Sequence, residues 1–144
     1  MLRDWDFRDG VKCVPGLLTK VCGGDLRTKN LVIRVPVRSI EAWLLADTEA
    51  FKEYFKVAKV PLTPDEESTP KVALVSACRK SKSAEIRNAM VPTAKSGRVV
   101  GALYASTVVD FASNHWDANR AAQNSPSLLR ALSRLKFLVE NEII

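Results

Sequence analysis

Histidine is almost absent from the sequence, and its scarcity limits the types of catalytic and metal site that the chain can form. The single histidine, His115, argues against a Ser-His-Asp triad and a histidine-rich zinc site. It stands at the end of a predicted helix, where we expect a capping role rather than catalysis. The common phosphate-binding motifs are missing too: the sequence has neither a Walker lysine loop nor G-x-G-x-x-G.

Cysteine and long apolar runs are also scarce. Cys13, Cys22 and Cys78 lack metal-type spacing and leave an odd thiol, which predicts reduced cysteines in a cytoplasmic protein. No apolar run approaches the roughly 18–20 residues that a membrane span needs. The N-terminus carries acids where a signal peptide has basic residues, so we expect neither a signal peptide nor a membrane partner.

Basic residues are plentiful and unevenly placed. The net charge is +6, and the stretch 71–98 holds seven basic residues against one acid, Glu85. Such a stretch is typical of a surface that faces a polyanion such as nucleic acid. A solvated helical face explains it equally well.

The predicted elements give an α/β or α+β domain over residues 1–144. Strands are expected at 2–7 and in "NLVIRVPV", because β-branched residues dominate the second. A first helix is expected from Pro15 to about Val21. Residues 1–57 would then form a strand and helix part, 58–70 a loop, and 71–144 a helical part with a basic face. The helices expected in that last part span about 71–80, 84–90, 101–115 and 127–139.

The stretch "SIEAWLLADTEAFKEYF" shows a helical apolar period. We expect Trp43, Leu44, Phe51 and Phe55 to be core residues. Asp47 is expected to be the N-cap of a second helical segment within this stretch.

Closely spaced acids open the chain. Asp4 and Asp6 on an extended segment point to the same side, because side chains alternate along a strand. Two carboxylates on one side suit Mg²⁺ or Mn²⁺. Acids at an exposed turn are the alternative, since D-x-D is a weak motif.

Several motifs resemble an uncharacterised bacterial Toprim-like family, domain of unknown function 4276. They are the D-x-D at a strand end, "RVPVRSIEAWLLADTEAF", "PK" at Pro70–Lys71, the "SGR" loop with Gly101, "ASNHW" and "SPSL". The resemblance spans nearly the whole chain, and its most specific part is the Glu41-Ala42-Trp43 helix.

The resemblance implies a partial Toprim-like sheet and divalent-metal phosphodiester chemistry, as in nucleases of bacterial defence systems. Asp4 and Asp6 match the family's D-x-D. The Toprim glutamate of the first strand has no counterpart before Met1. We therefore expect either a truncated start or a member that has lost part of its site.

Glu41 is the next candidate ligand, because it begins a helix directly after the second strand. It could complete a site with the two aspartates, or it could simply interact with the helix dipole. Ser39 before it is expected to cap the helix rather than to act as a nucleophile.

Two function classes follow. The first is a Mg²⁺- or Mn²⁺-dependent nuclease with Asp4, Asp6 and Glu41 as catalytic ligands. In that class Lys71, Lys95 and Arg98 would contact nucleic-acid phosphates. The second is a non-catalytic module that binds nucleic acid or an ATPase partner protein. A homo-oligomer is compatible with both.

Overall fold

The structure, a computed structural model, describes residues 16, 19, 36–37 and 39–141. These residues form seven α-helices and a short 3₁₀ turn at Pro64–Glu66. The helices are α1 Ile40–Ala46, α2 Thr48–Phe55, α3 Pro70–Arg79, α4 Ala84–Met90, α5 Tyr104–Asn114, α6 Ala118–Asn124 and α7 Pro126–Glu140.

The α/β prediction, with its partial Toprim-like sheet, is wrong: the described part of the chain is helical and contains no strand. Of the predicted strand at 30–37, only Pro36 and Val37 are described, and neither is a strand residue. Proline cannot donate a ladder hydrogen bond, so the β-branched pattern is a weak guide at that end. The predicted strand at 2–7 lies outside the described residues, as does the first helix except for residues 16 and 19.

The helix that carries the Glu-Ala-Trp motif is confirmed. It divides as predicted at Asp47, whose Oδ1 accepts a hydrogen bond from the Ala50 N–H at 3.4 Å. An aspartate at this position satisfies a backbone donor that has no partner within the helix. All residues from 41 to 47 are buried.

The later helices follow their predicted ranges closely. Helix α4 matches 84–90, and α7 begins after Ser125, whose hydroxyl accepts a hydrogen bond from the Leu128 N–H. Helix α6 was not predicted, because "ANRAAQN" has no apolar period. The residue that could have indicated its start is the N-cap Asp117, which accepts a hydrogen bond from the Arg120 N–H at 2.8 Å.

The core has two clusters, and α1 contributes to both. One is built on stacked aromatic rings and includes Phe51, Phe55 and Phe111, each fully buried. In the other, Trp43 packs with small and aliphatic residues of α6 and α7, among them Leu128. Trp43, Leu44, Phe51 and Phe55 are all buried, which confirms the predicted core.

A close backbone approach fixes the loop that leads into α5. A Cβ atom on Gly101 would lie 2.3 Å from the Ala89 carbonyl oxygen, so only glycine fits there. The Gly101 N–H donates to the Met90 carbonyl at 2.9 Å. This contact ties the loop to the end of α4 and places Tyr104 at the start of α5.

Helix α7, at 15 residues, is the longest of the described helices. A helix needs about 20 apolar residues to cross a bilayer. No helix in the described part of the chain has the length and apolar character for that.

Candidate functional site around Glu41

The candidate site lies at the N-terminus of α1. Ser39 is extended there, with φ −157° and ψ 167°, and its hydroxyl makes no capping hydrogen bond. Ser39 therefore occupies the predicted N-cap position but does not make the predicted capping hydrogen bond. Glu41 follows in the first helical turn, and only 4% of its surface is exposed.

One carboxylate oxygen of Glu41 has two partners from distant parts of the chain. Lys71 Nζ lies 3.2 Å from Glu41 Oε1, and the Tyr104 hydroxyl donates to the same oxygen at 3.0 Å. The lysine begins α3 and is half-exposed, whereas the tyrosine begins α5. The first turns of three helices therefore meet at this carboxylate.

The other oxygen, Oε2, is buried and has no hydrogen-bond partner in the described structure. The same holds for Ser39 Oγ. Burial raises the pKa of Glu41, but the nearby Ser39 hydroxyl, the backbone N–H of Glu41, Lys71 and Tyr104 together lower it by more, so the pKa lies below its ordinary value although Oε2 and Ser39 Oγ form no hydrogen bond of normal geometry. The carboxylate is thus held ionised with one unpaired oxygen.

Asp47, at the other end of α1, is fully paired. Arg120 donates from Nε to Oδ1 at 2.9 Å and from Nη2 to Oδ2 at 2.8 Å. The Asp117 N–H donates to Oδ2 at 2.8 Å. Burial raises the pKa of Asp47, but these hydrogen bonds and the charge of Arg120 lower it by more, so the pKa lies below its ordinary value. This residue joins α1, α2 and α6, so its role is structural.

Other polar groups of α1 are paired as well. The Trp43 indole N–H donates to Ser127 Oγ at 2.7 Å, and the Trp116 indole N–H donates to the Trp43 carbonyl at 3.0 Å. The Asn124 side chain donates to the Ala46 carbonyl at 2.9 Å. Against this background the unpaired oxygens of Ser39 and Glu41 are exceptional, because buried polar groups are nearly always hydrogen-bonded.

The "SPSL" motif at the start of α7 proves to be part of this structural network. Asp65 in the 3₁₀ turn accepts hydrogen bonds from the Ser125 hydroxyl at 2.7 Å and the Ser127 N–H at 2.8 Å. An anion at a helix N-terminus is favourable. The motif therefore anchors the 58–70 loop to α7.

The predicted site residues are only partly brought together. Asp4 and Asp6 lie outside the described residues, so their distance from Glu41 stays a prediction. Lys71 contacts Glu41 directly. Lys95 and Arg98 lie in the exposed 91–103 loop, and no described residue forms an ion pair with either.

A metal site cannot be completed from the described residues alone. They contain no group of three His, Cys, Asp or Glu side chains that could hold an ion. Glu41 Oε2 and Ser39 Oγ fit as two oxygen donors, the ligand type that Mg²⁺ prefers. Further ligands would have to come from elsewhere, and Asp4 and Asp6 are the predicted ones.

Sequence reasoning missed Tyr104 and Arg120, since each acts across a separation of more than 60 residues. The predicted position of His115 at a helix end is confirmed: it is the C-cap of α5, and its backbone N–H donates to the Phe111 carbonyl. The His115 ring packs 4.6 Å from that of Tyr54.

Comparisons with protein-family models, with curated proteins and with solved structures found no match for this chain. The family resemblance therefore depends on the quoted motifs alone.

Proposed function

We propose that this chain is a divalent-metal-dependent nuclease whose centre forms around Glu41. The observation that carries the proposal is the ionised, buried carboxylate with Oε2 unpaired. A buried carboxylate oxygen without a hydrogen bond is costly, and a bound cation would offset that cost. Lys71 neutralises only the Oε1 side.

In the proposed site Glu41 and Ser39 supply oxygen donors beside Asp4 and Asp6. Mg²⁺ or Mn²⁺, when bound, supplies a Lewis acid that neutralises charge on the scissile phosphate and acidifies water. Tyr104 orients the Glu41 carboxylate through its hydroxyl. Lys71 is half-exposed, so its ammonium group can also contact a phosphate oxygen of the substrate.

The test compares Glu41→Gln with Glu140→Gln, the same change on an exposed glutamate of α7. We expect Glu41→Gln to abolish Mg²⁺-dependent cleavage of a labelled DNA or RNA strand and to weaken Mn²⁺ binding by calorimetry. Glu140→Gln should leave both unchanged. Asp4→Asn is a second variant, which changes the other proposed ligand. Cleavage that survives in Glu41→Gln or Asp4→Asn would refute the proposed site.

The alternative is a non-catalytic module that binds nucleic acid or an ATPase partner protein. It is favoured by the apolar residues exposed on α7, namely Leu129, Leu135, Phe137 and Val139, since exposed apolar surface can mark a protein interface. Binding of nucleic acid without any Mg²⁺-dependent cleavage would support this alternative.

We also propose a cytoplasmic location, in keeping with the cysteine usage. Cys78 is buried and free, and burial raises the pKa of its thiol to about 12. A thiol this hard to ionise is a packing residue. Thiol labelling of the protein in freshly lysed cells would test this location, because a cytoplasmic protein should have reduced cysteines.

A further inference from the structure

Two neighbouring surface clefts lie where α2, α3 and α4 meet. Their volumes are about 470 Å³ and 360 Å³, and they share the wall formed by Val57 and Ala58. Five lysines line them: Lys52, Lys56 and Lys82 in the larger cleft, Lys59 and Lys80 in the smaller. One acid, Glu53, is also present. We call this surface the lysine cleft.

The charge of the lysine cleft is not neutralised from within the described part of the chain. The ion pairs among the described residues are Lys71–Glu41 and Arg120–Asp47, and neither involves a lysine of the cleft. Five exposed ammonium groups around one acid produce a positive potential that attracts anions.

The backbone that carries these lysines is held firmly. The Ser81 hydroxyl donates to the Phe55 carbonyl at 2.6 Å, and the Lys82 N–H donates to the Lys56 carbonyl at 2.9 Å. Arg87 Nη1 donates to the Ser81 carbonyl at 2.5 Å. The end of α2 and the α3–α4 turn are therefore fixed against each other, so the lysines are preorganised around the cleft.

Lys56 has a backbone conformation that favours glycine. It ends α2 in the left-handed region, with φ 52° and ψ 45°, and the next N–H, of Val57, donates back to the Lys52 carbonyl at 3.2 Å. Glycine is the usual residue at this position of a helix end. A lysine kept there at a conformational cost points to a use for its side chain.

We propose that the lysine cleft binds the phosphate backbone of a nucleic-acid strand. Lysine ammonium groups match phosphates as point charges. The cleft walls between them are apolar and include Val57, Val60 and Ala77. Such walls can contact the sugars and bases of a strand whose phosphates the lysines bind.

The surface is separate from the Glu41 site. Lys71 and Lys80 mark opposite ends of α3, which at about 1.5 Å per residue lie roughly 13 Å apart. The inference shares its nucleic-acid partner with the proposed function but does not depend on the Glu41 chemistry. Binding measured in EDTA therefore tests the cleft alone, whereas the Glu41→Gln cleavage assay tests the centre alone.

The experiment is a fluorescence-anisotropy titration of a labelled oligonucleotide in EDTA over a series of KCl concentrations. The variant is Lys56→Gln/Lys82→Gln, and the matched control is Arg130→Gln/Lys136→Gln on exposed positions of α7, with the same net charge. We expect the cleft variant to lose affinity on the order of tenfold and to reduce the salt slope by up to about two counterions. The control variant should lose much less affinity.

Lys56→Gly separates binding from folding, because glycine suits the left-handed position. We expect it to raise the melting temperature slightly and to weaken binding. Equal affinity of the cleft and control variants, or of Lys56→Gly and the unmodified chain, would overturn the proposal. So would displacement of the oligonucleotide by polyglutamate at equal charge, which would indicate an acidic protein partner instead.

Discussion

Glu41 and Asp47 are buried carboxylates at the two ends of α1, and their surroundings differ. Four donor contacts satisfy both oxygens of Asp47. Glu41 shares one oxygen between Lys71 and Tyr104 and leaves the other unpaired. Sequence position alone could not separate them, since both are acids beside a helix terminus. The difference depends on the partners that the tertiary fold brings to each.

The pairing of Asp47 predicts a pH dependence of stability. Because the pKa of Asp47 in the folded state lies below that in the unfolded state, ionisation of this carboxylate stabilises the fold at pH values above its unfolded-state pKa. This contribution is lost as the pH falls through the folded-state pKa. The free energy of unfolding, measured with urea at neutral and at acid pH, should fall less towards acid pH in Asp47→Asn than in the unmodified chain. Equal losses would contradict the assignment.

Trp43 is a core residue whose truncation should destabilise the fold strongly. It is 7% exposed and also donates to Ser127, so Trp43→Ala removes both a large apolar surface and a buried hydrogen bond. We expect a loss of about 3–5 kcal/mol in the free energy of unfolding. Leu129→Ala, at an exposed position of α7, should change it by less than about 0.5 kcal/mol. Denaturant unfolding measures both, and similar small losses would refute the central place of Trp43.

At the scale of elements, helices with a local signal were predictable. Asp47 and Ser125 each begin a helix by accepting a hydrogen bond from a backbone N–H three residues later. The local sequence is therefore enough to predict where these helices start. Helix α6 lacks an apolar period and is buried mainly through Ala121 and Ala122, small residues that such patterns overlook. The α/β prediction failed because it relied on two short segments that lie almost entirely outside the described residues, whereas the described part of the chain is helical.

The end of α2 gives a prediction at this scale. Lys56→Gly removes the cost of a left-handed non-glycine residue, so the free energy of unfolding should rise by about 0.5–1 kcal/mol. Lys52→Gly, one turn earlier inside the same helix, should lower it by about 1 kcal/mol. Thermal melts of the two variants provide the comparison. A loss of stability in Lys56→Gly would mean that its side chain is needed for the fold.

At the scale of the molecule, α1 packs against α2, α3, α6 and the 3₁₀ turn. Two of the contacts that hold α1 in place join residues 63 and 84 positions apart, namely Tyr104 to Glu41 and Trp43 to Ser127. No local pattern specifies such pairs. The lysine cleft illustrates the same limit: three of its lysines precede the basic 71–98 stretch in the chain, and only folding places them beside Lys80 and Lys82.

The last prediction asks whether one nucleic-acid strand contacts both basic surfaces. Lys95→Ala/Arg98→Ala should reduce the salt slope of binding by up to about two counterions, because these side chains are exposed on a loop and unpaired within the described chain. Asp4→Ala should keep or tighten binding while Mg²⁺-dependent cleavage disappears, since it removes a negative charge and a proposed ligand.

If one strand crosses both surfaces, the slope changes of the loop and cleft variants should add in the combined variant, as expected for separated sites. Anisotropy titrations over several salt concentrations measure each slope. A loop variant with the slope of the unmodified chain would remove Lys95 and Arg98 from the interface and leave the cleft as the binding surface. A combined variant no weaker than the cleft variant alone would show that the strand passes the cleft without reaching the loop. In that case Lys71, which directly contacts Glu41, would be the basic residue left to guide a phosphate toward the centre.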